Sequence, residues 1–228
     1  MNNDIIAILR QTALFSSASA GEIEALVSAS RLRTFRRGQV VFSTGDPGDA
    51  LLVVLSGLIK VVVRSAEGAE LTLAIVRAGG VLGELSVTDG GPRSADAETL
   101  EECRLLFIPR GVIQDICSRV PSVSLALARS LAATLRRLTE ETSDLVFLDL
   151  PRRVAKVLLA QPRDNDGIIR HRLNQEQLAH QVGGSRPSVN VALRGFQRRG
   201  WIEMHDRSIA VKKVAALESF VGSQVLAS

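Results

Sequence analysis

At 228 residues, 46% of them hydrophobic and 23% charged, the chain is long enough for one or two packed domains and too apolar for a disordered one. Seven Pro and 18 Gly form no low-complexity period, no apolar run reaches the roughly 18 residues that span a bilayer, and two cysteines exclude a disulfide framework. The net charge of +4 is unevenly divided: residues 151–228 carry 13 Lys+Arg against 6 Asp+Glu, and residues 1–150 carry 15 against 18. A basic module behind a slightly acidic one is the asymmetry of a chain whose one end meets a polyanion, although a solvated basic surface shows the same balance.

The start, Met1-Asn2-Asn3-Asp4, lacks the cationic opening of a signal peptide, so a cytoplasmic protein is expected. After an amphipathic opening (Ile5, Ile6, Leu9), Ser19-Ala20-Gly21-Glu22 predicts a capping box. The helix behind it buries Ile23, Leu26 and Val27 and ends near Ser30. From Arg31 to Ile108 the period becomes two, in the runs Gln39–Phe42, Leu51–Leu55, Leu58–Val63, Leu71–Val76 and Cys103–Ile108. Turn signals separate them at Gly45-Asp46-Pro47-Gly48, Ser56-Gly57, Glu67-Gly68, Ala78-Gly79-Gly80 and Asp89-Gly90-Gly91-Pro92. Many short strands at this spacing predict an antiparallel roll or barrel. Cys103 alternates with Leu105 and Phe107, and Cys117 lies at helical spacing from Ile113, so both read as packing residues.

Gly111–Val120 reads as a helix, and Pro121 opens a longer one running to about Leu148. Leu131, Leu135, Leu138, Thr142 and Leu145 follow a 4-3-4-3 spacing with charged residues around them, the seam of a parallel coiled-coil dimer; a core helix of a monomer shows the same stripe. Asp149-Leu150-Pro151 interrupts the pattern and marks a domain boundary. Beyond it come a helix (Arg152–Gln161), a polar turn (Pro162–Gly167), two capped helices joined by Gly183-Gly184, and a two-stranded wing of Trp201–Met204 and Ser208–Val211.

Leu173 to Ile202 has the layout of a helix-turn-helix. Its core would be Leu178, Ala179 and Val182 against Val189, Leu193 and Phe196, which leaves Ser185, Arg186, Ser188 and Asn190 projecting from the N-terminal turn of the second helix. That end enters a major groove first, and the Arg186 fork matches guanine O6 and N7. Arg194, Arg198 and Arg199 fit either DNA backbone contacts or a solvated face. A helix-turn-helix that binds only protein is the alternative.

A second constellation runs from Gly83 to Ala95. Gly83 permits close backbone approach, the helical turn it opens (Glu84, Leu85) directs free N–H groups outward, Arg93 offers a bidentate cation and Ser94 a hydroxyl. With Glu84 accepting from sugar hydroxyls, the set suits a phosphorylated ribose. The competing reading is a Glu84–Arg93 ion pair that braces a surface loop.

Together with Gly45-Asp46 and Ser56-Gly57, that stretch is similar to the cyclic-nucleotide-binding domain. Followed by the long helix, Phe147-Leu148-Asp149 and a winged helix with Gly184-Ser185-Arg186-Pro187-Ser188-Val189, nearly the whole chain resembles the CRP/FNR family of bacterial transcription regulators. The resemblance implies that Gly83, Glu84, Leu85, Arg93 and Ser94 hold the phosphate and ribose of a cyclic nucleotide, and that Leu138 and Thr139 of the long helix meet its base, one of them from the partner chain. Leu138 departs from the hydroxylated residue of adenine-binding members, which opens the way to another nucleotide or to none. Pro187 stands where many members place a glutamate that contacts cytosine, so the operator is expected to depart from the usual TGTGA half-site. Asn174, Gln175, Ser188 and His205 fall where relatives contact phosphates. Two cysteines cannot hold an iron–sulfur cluster, and His171, His180 and His205 all lie beyond Pro151, which excludes a haem in the sensor.

The expectation is therefore an α+β chain: an antiparallel β-roll sensor (residues 1–120), a dimerisation helix and hinge (121–150) and a winged helix-turn-helix (151–228). It would be a homodimeric, allosteric, DNA-binding transcription regulator controlled by cyclic AMP or cyclic GMP, with no required cofactor, no metal and no enzymatic activity. Its partners would be a near-palindromic duplex, a second copy and RNA polymerase, with no membrane. One alternative keeps the DNA module and makes the roll a ligand-free scaffold. Another is an enzyme acting on a phosphoester, with Glu84 as base and Arg93 as charge stabiliser.

Overall fold

Ser19 closes the predicted capping box: its hydroxyl accepts from the Glu22 N–H, and the Glu22 carboxylate accepts from the Ser19 N–H at 2.6 Å. The backbone hydrogen bond from Ser19 holds the Glu22 carboxyl below its usual range. The computed structural model describes residues 2–66, 68–160, 169–171, 175–205 and 208–222. They divide into two compact units, Met1–Arg137 and Leu138–Ser228.

In the first unit, helices α1 (Asn2–Gln11) and α2 (Ala20–Ser28) lead into strands β1 (Arg31–Phe35), β2 (Val40–Phe42), β3 (Ala50–Ser56), β4 (Leu58–Arg64), β5 (Glu70–Arg77) and β6 (Val81–Leu82). A short helix, α3 (Glu84–Asp89), precedes β7 (Asp96–Thr99) and β8 (Cys103–Pro109). Helices α4 (Arg110–Arg119) and α5 (Pro121–Phe147) follow, the last ten residues of α5, from Leu138, belonging to the second unit. The strands form two antiparallel sheets ordered β1-β8-β3-β6 and β2-β7-β4-β5, the expected roll. Because successive strand residues face opposite sides, β3 serves two cores. Leu52 and Val54 join Leu105, Ile59 and Ala97 in the roll interior, while Leu51 and Val53 join Leu106, Ile108 and the helix residues Ile23, Ile113, Val123 and Leu127. Burial on both faces explains why Ala50–Leu55 is a continuous apolar run.

Two features of the β4–β5 hairpin connect it to its surroundings. Pairing steps from Ala74 opposite Val61 to Thr72 opposite Val62, which leaves Leu73 as the extra residue of a bulge, and the Leu73 carbonyl accepts from Arg137 Nη1 of α5. A network of Lys60, Arg64, Glu70, Asp96 and Glu98 spans β5, β4 and β7, with Lys60 2.9 Å from Glu70 and 3.2 Å from Glu98.

The second unit contains α6 (Leu150–Leu159), β9 (Ile169–His171), α7 (Gln175–Val182), α8 (Arg186–Arg198), β10 (Ile202–His205), β11 (Ser208–Val211) and α9 (Val214–Gly222). Helix α6 starts two residues earlier than the sequence suggests. Asp149 accepts the Arg152 N–H at 2.9 Å as its N-cap, and Pro151 falls inside the first turn, where its missing N–H costs nothing. All six residues expected at the helix-turn-helix core are buried: Leu178, Ala179, Val182, Val189, Leu193 and Phe196. The wing is a three-stranded sheet, β10-β11-β9, rather than a two-stranded one. Arg153 ties the start of the unit together, donating to the Leu148 carbonyl at 2.8 Å and to the Val182 carbonyl at 2.9 Å.

Candidate ligand pocket and nucleic-acid interface

The Gly83–Ser94 segment folds around one buried arginine. Gly83 has φ +81° and stands as N-cap of α3, whose first N–H groups have no intrahelical partner; Gly90, at φ +83°, ends that helix. Arg93 is pinned through its backbone, where its N–H donates to the Asp46 carbonyl at 2.9 Å and its carbonyl accepts from the Gly45 N–H at 2.8 Å. Its side chain is only 4% exposed. Nη2 donates to the Ala50 carbonyl at 2.8 Å, the guanidinium lies 4.5 Å from the centre of the Phe42 ring, and Nε is buried without a partner. Among the described residues no ion pair to Arg93 forms, so the Glu84–Arg93 brace is not made. Burial lowers the Arg93 pKa from its usual value, an effect that the charges of Asp49, Asp46 and Glu84 oppose without cancelling. Glu84 is half-buried, and Leu85 and Ser94 are exposed. In chemical terms this is a buried, incompletely satisfied cation beside a helical turn with open N–H groups, which suits a small anion.

Sequence reading missed three contributors to this segment. Phe42 forms the apolar wall of the guanidinium. Ala50, 43 residues away in the chain, supplies its acceptor. Arg110, the first residue of α4, packs against Gly90 so closely that a Cβ there would lie 2.0 Å from Nη2. Gly90, at a turn, was the only available signal for the last. Leu138 is half-buried and Thr139 exposed, both in the part of α5 that belongs to the second unit.

In the second unit, Ser185 caps α8 through the Ser188 N–H, and the two hydroxyls lie 2.8 Å apart. Ser185, Arg186, Pro187 and Ser188 are exposed and Asn190 is half-buried. Three of the expected contact residues, Gln175, Arg186 and His205, line one cleft of about 740 Å³ with Glu176, Met204, Ser208 and Ile209. Asn174 lies outside the described residues. On β10, Glu203 is 3.1 Å from Lys212 and 3.8 Å from His205. The Lys212 hydrogen bond holds its carboxyl below the usual range. Arg199, which the sequence leaves between two roles, stacks on the Trp201 ring at 4.9 Å; Arg194 and Arg198 are exposed.

Comparison with known proteins matches two family models: the cyclic nucleotide-binding domain over residues 32–120 and the Crp-like helix-turn-helix domain over residues 152–220. A CRP-like cAMP-activated global transcriptional regulator of Mycobacterium tuberculosis is 37% identical over 210 residues, covering 90% of this chain and 94% of the relative. The chain belongs to the CRP/FNR family of transcription regulators. The cyclic AMP receptor protein of Thermus thermophilus is 31% identical, covering 92% and 97% of the two chains. The structure of a CooA variant from Carboxydothermus hydrogenoformans matches with a TM-score of 0.78 at 24% identity, over 94% of this chain and 95% of that one, a likeness of fold.

A CRP/FNR regulator is a DNA-binding transcription regulator and not an enzyme, which removes the phosphoesterase alternative. The β-roll, the long helix and the helix-turn-helix are those of the family. Among the described residues no group of three or more His, Cys, Asp or Glu is placed to hold a metal ion, and no helix is long and apolar enough to cross a membrane.

Proposed function

We propose that this CRP/FNR chain is a homodimeric regulator, acting in the cytoplasm, that binds a cyclic nucleotide such as cyclic AMP or cyclic GMP in the Gly83–Ser94 segment and then engages a near-palindromic duplex and RNA polymerase. The observation that carries the ligand assignment is Arg93, a buried guanidinium with an unpartnered Nε and no carboxylate paired to it. A buried charge left in that condition destabilises the unit, and a cyclic phosphate would satisfy it together with the Ser94 hydroxyl and the open N–H groups at Glu84 and Leu85. The Glu84 carboxylate would accept from a ribose hydroxyl. The names of the Mycobacterium and Thermus relatives, cAMP-activated regulator and cyclic AMP receptor protein, agree with this choice. Leu138 and Thr139 are assigned to the base by family resemblance.

The functional division into residues 1–120, 121–150 and 151–228 belongs to the same proposal, with the hinge near Phe147–Pro151 as the two-state element. Support for the dimer comes from α5, where Leu135 and Leu145 of the seam are 66% and 44% exposed, and Val146 and Phe147 more so. Effector coupling of about 1–3 kcal/mol would change DNA affinity by about 5- to 150-fold. In the duplex, Arg186 would read a base, while Asn174, Gln175, Ser188 and His205 would hold phosphates.

Isothermal titration of cyclic AMP and cyclic GMP into the wild-type chain and Arg93→Met tests the ligand assignment. Binding that the variant abolishes supports it. A second reading, an effector-independent regulator with the roll as scaffold, is favoured by Leu138, which offers adenine no hydroxyl. No binding of either nucleotide, with specific DNA binding intact, would establish that reading instead.

A further inference from the structure

Helix α8 divides into two faces, and the outward one is not uniform. Val189, Ala192, Leu193 and Phe196 are buried against the unit core. At 3.6 residues per turn the opposite face is made by Pro187, Val191, Arg194 and Arg198, all exposed. Its C-terminal half is basic, as a contact to phosphates requires. Its N-terminal half, the part that reaches base edges when such a helix docks, is apolar: Pro187 and, one turn on, Val191. Val191 is 70% exposed and, among the described residues of the winged helix, is the one large apolar side chain in that condition.

We propose that Pro187 and Val191 read thymine methyl groups in the major groove, and so set this chain's operator preference for A·T pairs. The inference rests on the reading that α8 enters the groove. A valine and a proline ring offer no hydrogen bond to a base edge. The apolar feature of the major groove is the thymine C5-methyl, which cytosine and guanine lack. The neighbouring polar side chain, Asn190, has the bidentate amide that matches adenine N6 and N7, so the adjacent groups favour the same base pair. The Ser185 hydroxyl, which accepts from the Ser188 N–H and lies 2.8 Å from the Ser188 hydroxyl, holds the first turn of the helix. Arg186, on the flank facing the cleft with Gln175 and His205, keeps its separate role toward guanine.

The test is selection of duplexes from random DNA by the full chain, with and without cyclic AMP, followed by replacement of each thymine of the enriched half-site with deoxyuridine, which removes only the methyl. One or two positions should lose affinity by about fourfold per methyl, the worth of burying one methylene-sized group (about 0.8 kcal/mol). Val191→Ala should erase that loss at the thymine that Val191 meets, a second sensitive methyl being the one Pro187 meets, and Val191→Ile should retain it, with unchanged thermal melting because the side chain is exposed. An enriched half-site insensitive to uracil, or uracil penalties all of which Val191→Ala keeps, would overturn the inference and leave DNA binding standing. Failure to enrich any duplex, with no salt-dependent duplex affinity, would overturn the DNA reading and this inference with it.

Discussion

The guanidinium of Arg93 occupies the space that any side chain at Gly83 would need: a Cβ built there lies 1.9 Å from Nη1 and 3.2 Å from the Ala50 carbonyl oxygen. Gly83 also holds φ at +81°, where a side chain is strained by about 1–3 kcal/mol. The glycine that sequence reading assigned to close approach of a ligand thus serves first to admit the arginine. Gly83→Ala is expected to displace the guanidinium and lower cyclic AMP affinity at least tenfold in titration calorimetry. Gly21→Ala, in open space on α2, should leave binding unchanged and add up to about 1 kcal/mol of stability.

The outer face of the β4 sheet should respond to acid. The backbone hydrogen bond from Thr44 is the leading cause that holds the Asp96 carboxyl below its usual range. For Glu70, burial alone would raise the pKa, but hydrogen bonds and charge from Lys60 and Arg64 outweigh it and lower it. Both groups therefore bind fewer protons folded than unfolded near pH 4, so the stability they contribute is present above about pH 4.5 and lost as pH falls further. Each half-buried pair is worth about 1 kcal/mol. Urea unfolding between pH 6 and 3 should show a steeper acid loss in wild type than in Glu70→Gln/Asp96→Asn; equal slopes would remove the network from the account.

Elements whose partners lie close in the chain were legible from sequence. The helix-turn-helix core is one: Leu178 to Phe196 is a continuous stretch whose 3.6-residue period directs six residues inward, and all six are buried. What sequence could not disclose depends on distant chain. Strand β9 has three residues, too few for a period, and exists through pairing with Ile209–Val211 nearly 40 residues on. Helix α9 is apolar on most sides, so its buried Leu217 could not be singled out. In the ligand segment the residue types were readable, but the Ala50 and Phe42 contacts that fix the Arg93 side chain are set by the packing of β2 and β3 around it.

An aromatic cluster offers a selective probe of the second unit. Phe196 stacks on Trp201 with centroids 5.8 Å apart and meets Phe220 edge-on at 5.6 Å. Phe196→Ala is expected to cost about 3–5 kcal/mol, a large part of the stability of a small unit. Trp201 is the only tryptophan, so its fluorescence reports this transition alone. Its urea midpoint should fall sharply while cyclic-nucleotide binding in the first unit persists.

The exposed leucines of α5 give the dimer a direct test. Leu135→Glu places a charge on the seam between Leu131 and Leu138 at a position already 66% exposed in the single chain, so the protomer should fold normally. Sedimentation should show the variant as a monomer at micromolar concentration where wild type is a dimer. Affinity for a two-half-site duplex should fall by at least a hundredfold, because the second reading helix is no longer delivered by the first. A variant that stays dimeric would move the interface elsewhere.

Arg186 and Arg199 are both arginines of the basic module, yet their surroundings separate their roles. Arg186 is exposed at the first turn of α8 and lines the cleft with Gln175 and His205, whereas Arg199 lies over the Trp201 ring. A bidentate arginine–guanine pair is worth about 1–3 kcal/mol of discrimination, so Arg186→Ala should lower operator affinity by about 5- to 150-fold and flatten the preference at one base pair. If Arg186 read phosphate instead, affinity would fall uniformly over all sequences and the salt slope would drop by about one charge. Arg199→Ala should lower the Trp201-reported stability by about 1 kcal/mol through loss of the cation–π contact and leave base preference intact. Binding titrations at two salt concentrations, on the selected operator and on variants of each base pair, distinguish these outcomes. An Arg186→Ala protein with unaltered base preference would assign the reading of that pair to another residue of α8.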